Sequence, residues 1–266
     1  MLDRYNRKIN YLRISVTDRC NLRCRYCMPE SGIKLMAHKD ILSYDEITEV
    51  AREAARLGVN KIRITGGEPL VRRGLTALVG MIAKIDGIKD IGMTTNGILL
   101  PQFAMELKQA GLHRVNISLD SMDPEKYKAV TRVGNIEDAL KGIDAALEVG
   151  LIPVKLNCVV KENQFEPEAQ KVRAFADKKG LEVRFIPMMD LHEGTFGEVI
   201  GGSGGHCTNC NRLRLTASGM VKPCLFSDLA YDVREFGIER AYHKALGNKP
   251  KAGGANTVNR FSNIGG

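Results

Sequence analysis

The 266 residues are 44% hydrophobic and 26% charged, ordinary proportions for a soluble globular chain, and carry a formal net charge of +8. That length buries a full core, as one large domain or one domain with an appendage. No apolar run reaches signal-peptide or membrane-spanning length, so a cytoplasmic protein with no membrane partner is expected.

From residue 10 to about residue 186, short apolar runs alternate with amphipathic stretches of helical period. Strands are expected at residues 11–16, 61–65, 89–94, 114–118, 154–159 and 182–186. Among the intervening helices, one opens on a capping box of Ser43 and Glu46. Another opens on Asp123 followed by Pro124 at the first helical position. Repeated β-α units of this length imply a parallel sheet with right-handed crossovers. Six units are too few for the eight-stranded closed barrel. The expected fold is therefore α/β, a partial (open) six-stranded parallel β/α barrel.

After Pro187 the rhythm stops, and residues 188–206 are a glycine-rich linker or loop. Cys207, Cys210 and Cys224 follow, then one helical pattern over residues 232–246 and a polar tail ending in Gly265 and Gly266. The expected division is a barrel core over residues 1–190 and a small C-terminal metal-binding domain over residues 191–266.

Seven cysteines, an odd number in a chain expected to be intracellular, argue for metal ligation rather than a disulfide framework. Cys20, Cys24 and Cys27 are spaced so that one short loop can hold three corners of a cubic iron–sulfur cluster, leaving the fourth iron open. A structural zinc site, or a four-cysteine cluster completed from afar, is the alternative. Zinc, however, favours two-residue spacings, and no histidine lies in this loop. In parallel α/β folds, ligand sites gather at the carboxyl ends of strands. The cysteine loop, Gly66, Gly67, Glu68 and Pro69, then Thr94 to Gly97, then Ser118 to Asp120 all occupy that end. For Cys207, Cys210 and Cys224, spacing leaves zinc, with His206 or a distant residue as fourth ligand, about even with an iron–sulfur cluster. Cys158 stands alone and reads as a small buried hydrophobe.

Strand alternation puts Lys61 and Arg63 on one face, opposite Ile62 and Ile64, and puts Lys155 and Asn157 on one face, opposite Leu156 and Cys158. Several inward cations on one sheet are costly unless an anion meets them. A phosphorylated ligand is such an anion, and arginine suits it through bidentate contacts. The chain has no Lys/Arg block and few aromatics for base stacking, so no nucleic-acid partner is expected.

The CxxxCxxC loop followed by GGEP resembles the radical S-adenosylmethionine superfamily. The phrases LRISVTDRCNLRCRYCMP, KIRITGGEPLVR, SLDS and CNRLRLT…PCLF, with the terminal glycine pair, are similar to its GTP 3′,8-cyclase branch. The resemblance implies two [4Fe–4S] clusters, held by Cys20, Cys24 and Cys27 and by Cys207, Cys210 and Cys224. It implies S-adenosylmethionine at Gly66, Gly67, Glu68, Pro69, Thr95, Asn96 and Ser118. GTP is implied at Arg13, Lys61, Arg63, Lys155, Arg184, Arg212 and Arg214, with Gly265 and Gly266 assisting the chemistry. The implied reaction cyclises GTP between ribose C3′ and purine C8, the first step of molybdenum-cofactor synthesis. Implied partners are a flavodoxin- or ferredoxin-like reductant and a downstream pterin-forming enzyme, with a homodimer open as the assembly. In one respect the chain departs from the branch, which carries a longer insert where this sequence has only residues 188–206. A related nucleotide-modifying radical enzyme, a radical peptide-modifying maturase with an auxiliary cluster, and a non-catalytic iron–sulfur sensor are the competing readings.

Overall fold

The structure, a computed structural model, describes residues 1–258 and 260–265. Among these residues, nine strands form one open sheet: β1 (Tyr11–Ser15), β2 (Lys61–Thr65), β3 (Asp90–Thr95), β4 (Arg114–Ser118), β5 (Lys155–Val160), β6 (Glu182–Pro187), β7 (Arg212–Leu215), β8 (Met220–Lys222) and β9 (Tyr231–Asp232). Their order is β6-β5-β4-β3-β2-β1-β7-β8-β9. The first six are the strands expected from the apolar runs, all parallel, and the sheet does not close.

The helices are α1 (Tyr44–Arg56), α2 (Leu75–Ala83), α3 (Leu100–Gln109), α4 (Pro124–Thr131), α5 (Ile136–Glu148), α6 (Pro167–Lys179), α7 (Val233–Phe236), α8 (Ile238–Gly247) and α9 (Phe261–Ile264). The Ser43 and Glu46 capping box starts α1, and the Asp123 carboxylate caps α4 ahead of Pro124. The pattern over residues 232–246, read from sequence as one helix, is two. Gly237 at φ +77° ends α7 and starts α8, a conformation side-chain-bearing residues rarely adopt. Among the described residues, no helix is long and apolar enough to cross a membrane.

The C-terminal segment continues the sheet. β7 pairs in parallel with β1, and β8 and β9 follow antiparallel. Their short runs carry no helical crossover, which is why the β-α rhythm did not announce them. α8 packs back on the core, where the Tyr242 hydroxyl donates to the carbonyl of Val50 at 3.1 Å. Residues 188–206 also add to the sheet edge, as Ile200 and Phe185 exchange both backbone hydrogen bonds at 3.0 Å.

The sheet's two faces differ sharply. On one, Leu12, Ile14, Ile62, Ile64, Met93, Ile117, Leu156, Cys158, Phe185, Leu213 and Leu215 are buried in the main core with the helices. Each such aliphatic contributes about 1.5–3 kcal/mol. On the other, the register lines up Arg214, Arg13, Arg63 and Gly92 across four adjacent strands. One row below stand Arg212, Tyr11, Lys61 and Asp90. A sheet face lined with guanidiniums is unstable on its own terms, and that face is where the site lies.

Candidate active site

Two cavities open on the polar face and share a wall of Asn157, Ile186 and Met189. The first is lined by Cys20, Cys24 and Cys27 with Gly66, Gly67, Glu68, Thr95, Asn96, Ser118 and Asp120. Cys207, Cys210 and Cys224 line the second with Arg13, Arg212, Arg214, Phe196 and Phe226. The structure thus gathers each cysteine set in its own cavity, the two cavities meeting at a shared wall.

The first cysteine loop is pinned from three sides. A backbone turn brings the amide of Cys27 to the carbonyl of Cys24 at 2.9 Å. The Tyr26 hydroxyl donates to Asp120 at 2.7 Å, and Asp120 also accepts from the amide of Val159 at 2.8 Å. Arg132, at φ +67°, donates to the carbonyls of Arg23 and Met28. Burial pushes the Cys20 thiol up to about 11 and the Cys27 thiol up to about 12. Cys24 rises as well, through burial first and then the nearby Asp120, Cys27 and Cys20 charges. Three buried thiols with raised pKa values beside one cavity need a cationic centre to ionise against. Among the described residues, no three His, Cys, Asp or Glu side chains converge tightly enough for a single metal ion. The thiolates of a cubane each bind a different iron and stand farther apart than that.

Gly66 and Gly67 are met closely by the chain that leads into the cysteine loop. In the structure, a Cβ on Gly67 would lie 2.3 Å from the carbonyl oxygen of Arg19, and one on Gly66 would lie 2.9 Å from that of Thr17. Their amide neighbourhood packs directly on the lead into the cysteine loop, with Gly67 donating to Thr17 at 2.7 Å and Glu68 to Arg19 at 2.8 Å.

Glu68, Thr95 and Asn96 bond mainly to one another. The Glu68 carboxylate accepts from the amide of Leu70 (3.1 Å), the hydroxyl of Thr95 (2.8 Å) and the amide of Asn96 (2.7 Å). Burial pushes its pKa up to about 7 even so. The Asn96 side chain reaches Asn21 of the cysteine loop at 2.7 Å. Pro69 starts a short 3-10 turn behind them. Ser118 is half-buried on the cavity wall.

Of the seven cations expected from sequence, Arg13, Arg212 and Arg214 line the second cavity. Arg63 stands one strand over, fully buried, donating to Asn116 at 2.7 Å and to the carbonyl of Met93 at 3.2 Å. It has room because residue 92 is glycine, where a Cβ would come within 2.9 Å of the Arg63 guanidinium carbon. Arg184 is half-buried on β6, and burial followed by the Arg63 charge lowers its pKa. The Nε atoms of Arg184 and Arg212 are buried without hydrogen-bond partners, as is Asn157 Oδ1. Lys61 and Lys155 occupy the amino ends of their strands and line neither cavity. They pair instead with Asp90 at 3.5 Å and with Glu182. Arg214 is lowered to about 9, by burial first and then by Arg13 and Arg212. It donates to the carbonyl of Gly265, which draws the tail against Thr65 and Ser15. Gly266 lies outside the described residues.

Tyr11 was missed by sequence reading. Burial raises its phenol, but Arg13, Arg63 and Arg212 outweigh that and bring it down to about 7. Only the cross-strand register discloses this, because its cationic neighbours come from three separate strands.

The Radical SAM superfamily model matches residues 14–176. Two bacterial proteins named GTP 3′,8-cyclase align with nearly the whole chain. The one from Petrotoga mobilis is 41% identical over 94% of each chain, and the one from Thermodesulfovibrio yellowstonii is 44% identical over 88% of this chain and 87% of its own. The chain belongs to the GTP 3′,8-cyclase family of the radical SAM superfamily.

Membership implies a [4Fe–4S] cluster and S-adenosylmethionine, and the first cavity, with its three unpaired thiols, fits them. The Petrotoga alignment runs over 302 positions against a 266-residue chain, so that relative carries sequence absent here. Among solved structures, anSMEcpe with bound AdoMet superposes with a TM-score of 0.66 at 18% identity, over 91% of this chain and 81% of its own. SuiB bound to S-adenosylmethionine gives 0.65 at 15% identity, over 86% and 64%. These likenesses establish the fold.

Proposed function

We propose that the chain converts GTP to a 3′,8-cyclised GTP, the reaction for which its relatives are named. The observation that carries the reading is the row of Arg214, Arg13 and Arg63 on the sheet's inner face, of which Arg13 and Arg214 line the second cysteine cavity and Arg63 stands beside them. Like charges packed this closely in a low-dielectric site call for a polyanion, and a triphosphate supplies one. When bound, a reduced cluster and S-adenosylmethionine supply a radical able to take a hydrogen atom from the substrate.

The chain's residues do the placing. Cys20, Cys24 and Cys27 offer three thiolates and leave one cluster corner for the cofactor. Glu68 and Asn96 fasten the ends of β2 and β3 to the cysteine loop, so Gly66, Gly67, Thr95 and Ser118 present a fixed surface to the sulfonium ligand. Arg13, Arg212 and Arg214 hold phosphate oxygens, with Arg63 and Arg184 completing the arc. Lys61 and Lys155 join only by exchanging their carboxylate partners. Cys207, Cys210 and Cys224 would hold a second [4Fe–4S] cluster, which would supply an iron able to bind the substrate's base. This reading is supported by their shared cavity with the arginines. The Gly265 carbonyl, held by Arg214, brings the tail to the substrate. The substrate set draws on both sides of the division at residue 190, with Arg13, Arg63 and Arg184 before it and Arg212 and Arg214 after it.

Residues 188–206 supply the wall that the longer insert supplies elsewhere. Phe196 stacks on Phe226 with centroids 4.4 Å apart, and Val199, Gly204 and His206 line the same cavity. A flavodoxin- or ferredoxin-like protein delivers the electron, and a pterin-forming enzyme takes the product.

The test is anaerobic incubation of reconstituted protein with S-adenosylmethionine, a strong reductant and GTP. Formation of 5′-deoxyadenosine together with a cyclised guanine nucleotide is expected. Cofactor cleavage with GTP left intact, and a peptide altered instead, would assign the chain to the peptide maturases.

A further inference from the structure

Lys249 is 1% exposed, and its ammonium lies beside the second cysteine set. The Nζ donates to the carbonyl of Pro223 at 2.5 Å and to that of Arg212 at 2.9 Å. Pro223 immediately precedes Cys224, and Arg212 is two residues beyond Cys210. One ammonium thereby ties together the two chain segments that bear these cysteines.

A buried ammonium is costly unless an anion meets it. Both oxygen partners of Lys249 are neutral carbonyls, and among the described residues no carboxylate pairs with it. The contrast with Arg7 is direct. That guanidinium reaches the same segments, donating to the carbonyls of Cys207, Pro250 and Lys251, and its charge is matched by Asp3 at 2.6 Å. The anions left for Lys249 are sulfurs. Cys210 and Cys224 adjoin those two carbonyls along the chain, whereas at the first cysteine loop a carboxylate stands close by, Asp120 accepting from the Tyr26 hydroxyl at 2.7 Å.

We propose that Lys249 is the positioning and charge-compensating residue of the second cysteine set, binding its two segments together and offsetting one negative charge of the cluster those thiolates carry. This rests on the reading of a second iron–sulfur cluster. A cation at that place favours the more negative, reduced state of the cluster. Losing it therefore makes reduction harder.

Lys249→Gln keeps a donor for the two carbonyls and removes the charge, whereas Lys249→Arg keeps the charge. Both are made in the full chain and reconstituted anaerobically. Iron and sulfide are counted, and each cluster's midpoint potential is read by spectroscopically monitored titration. Lys249→Gln is expected to shift the second cluster's potential negative by at least about 59 mV, a tenfold change for a one-electron couple. The first cluster should not move, and Lys249→Arg should stay close to wild type. Loss of only the second cluster's iron from Lys249→Gln, with Lys249→Arg retaining it, supports the same assignment. Full iron with an unmoved potential in Lys249→Gln overturns it, as does loss of that iron from both folded variants. If wild type itself holds only about four irons plus zinc, the second-cluster reading is what fails.

Discussion

Arg214 should trade stability for binding, and replacing it with methionine exposes the trade. The guanidinium is 6% exposed, sits in register with Arg13, and is lowered from 12.5 to about 9 by burial and by Arg13 and Arg212. At neutral pH it stays protonated in both folded and unfolded chains, so the folded state bears the whole penalty. At about 1.4 kcal/mol per pKa unit the shift sets an upper bound near 5 kcal/mol. Allowing for the lost bond to the Gly265 carbonyl, a net stabilisation of about 1–3 kcal/mol is expected. In a chain of this size that raises Tm by roughly 2–10 °C. The lost contact to phosphate, a charged hydrogen bond of about 1.5–3 kcal/mol, should weaken GTP binding by at least about tenfold. Thermal melts of cluster-loaded protein with and without GTP read both effects. Without nucleotide the Arg214→Met variant should melt above wild type, and GTP should raise the wild-type Tm by more than the variant's. A variant that melts below wild type without GTP and gains as much from it would refute the view of this arginine as a strained anion receptor.

Gly92→Ala should place a methyl against the Arg63 guanidinium and move it off Asn116, weakening GTP binding about tenfold in titration calorimetry. Its Tm should change by only a few degrees, since alanine also restricts the unfolded chain; unchanged affinity would remove Arg63 from the binding set. Cys24→Ala should abolish S-adenosylmethionine cleavage and cut iron by about half, leaving the second cluster in place; preserved turnover would end the radical reading. Glu68 has its folded pKa raised to about 7 by burial, so the folded chain holds that proton more tightly than the unfolded one. Its contribution to stability is whole below about pH 4.5, declines as pH rises, and is gone above about pH 7, a loss of up to about 3 kcal/mol. Denaturant unfolding of metal-free Glu68→Gln should lack that slope between about pH 5 and pH 8, and curves parallel to wild type would contradict it.

The sequence by itself determined the six parallel strands, the capped starts of α1 and α4, and the loop holding Cys20, Cys24 and Cys27. Those features are local, set by apolar periodicity, caps and spacing over a few residues. It also marked Arg13, Arg212 and Arg214, through the family phrases that contain them, because a motif is read at the same short range. The tertiary structure decided what depends on pairing between distant segments. Placing β7 beside β1 brought Arg214 level with Arg13 and turned scattered cations into one electrostatic unit. The same register surrounded Tyr11 with arginines, while Lys61 and Lys155 found carboxylates at the strands' amino ends. The role of Gly92 could not be seen in the chain either, since the side chain it makes room for lies on another strand. Lys249 looks like one more surface lysine of a polar tail until the fold buries it against Cys210 and Cys224. Charge acts through space and periodicity acts along the chain, so the scaffold could be read in one dimension and the electrostatics of the site needed three.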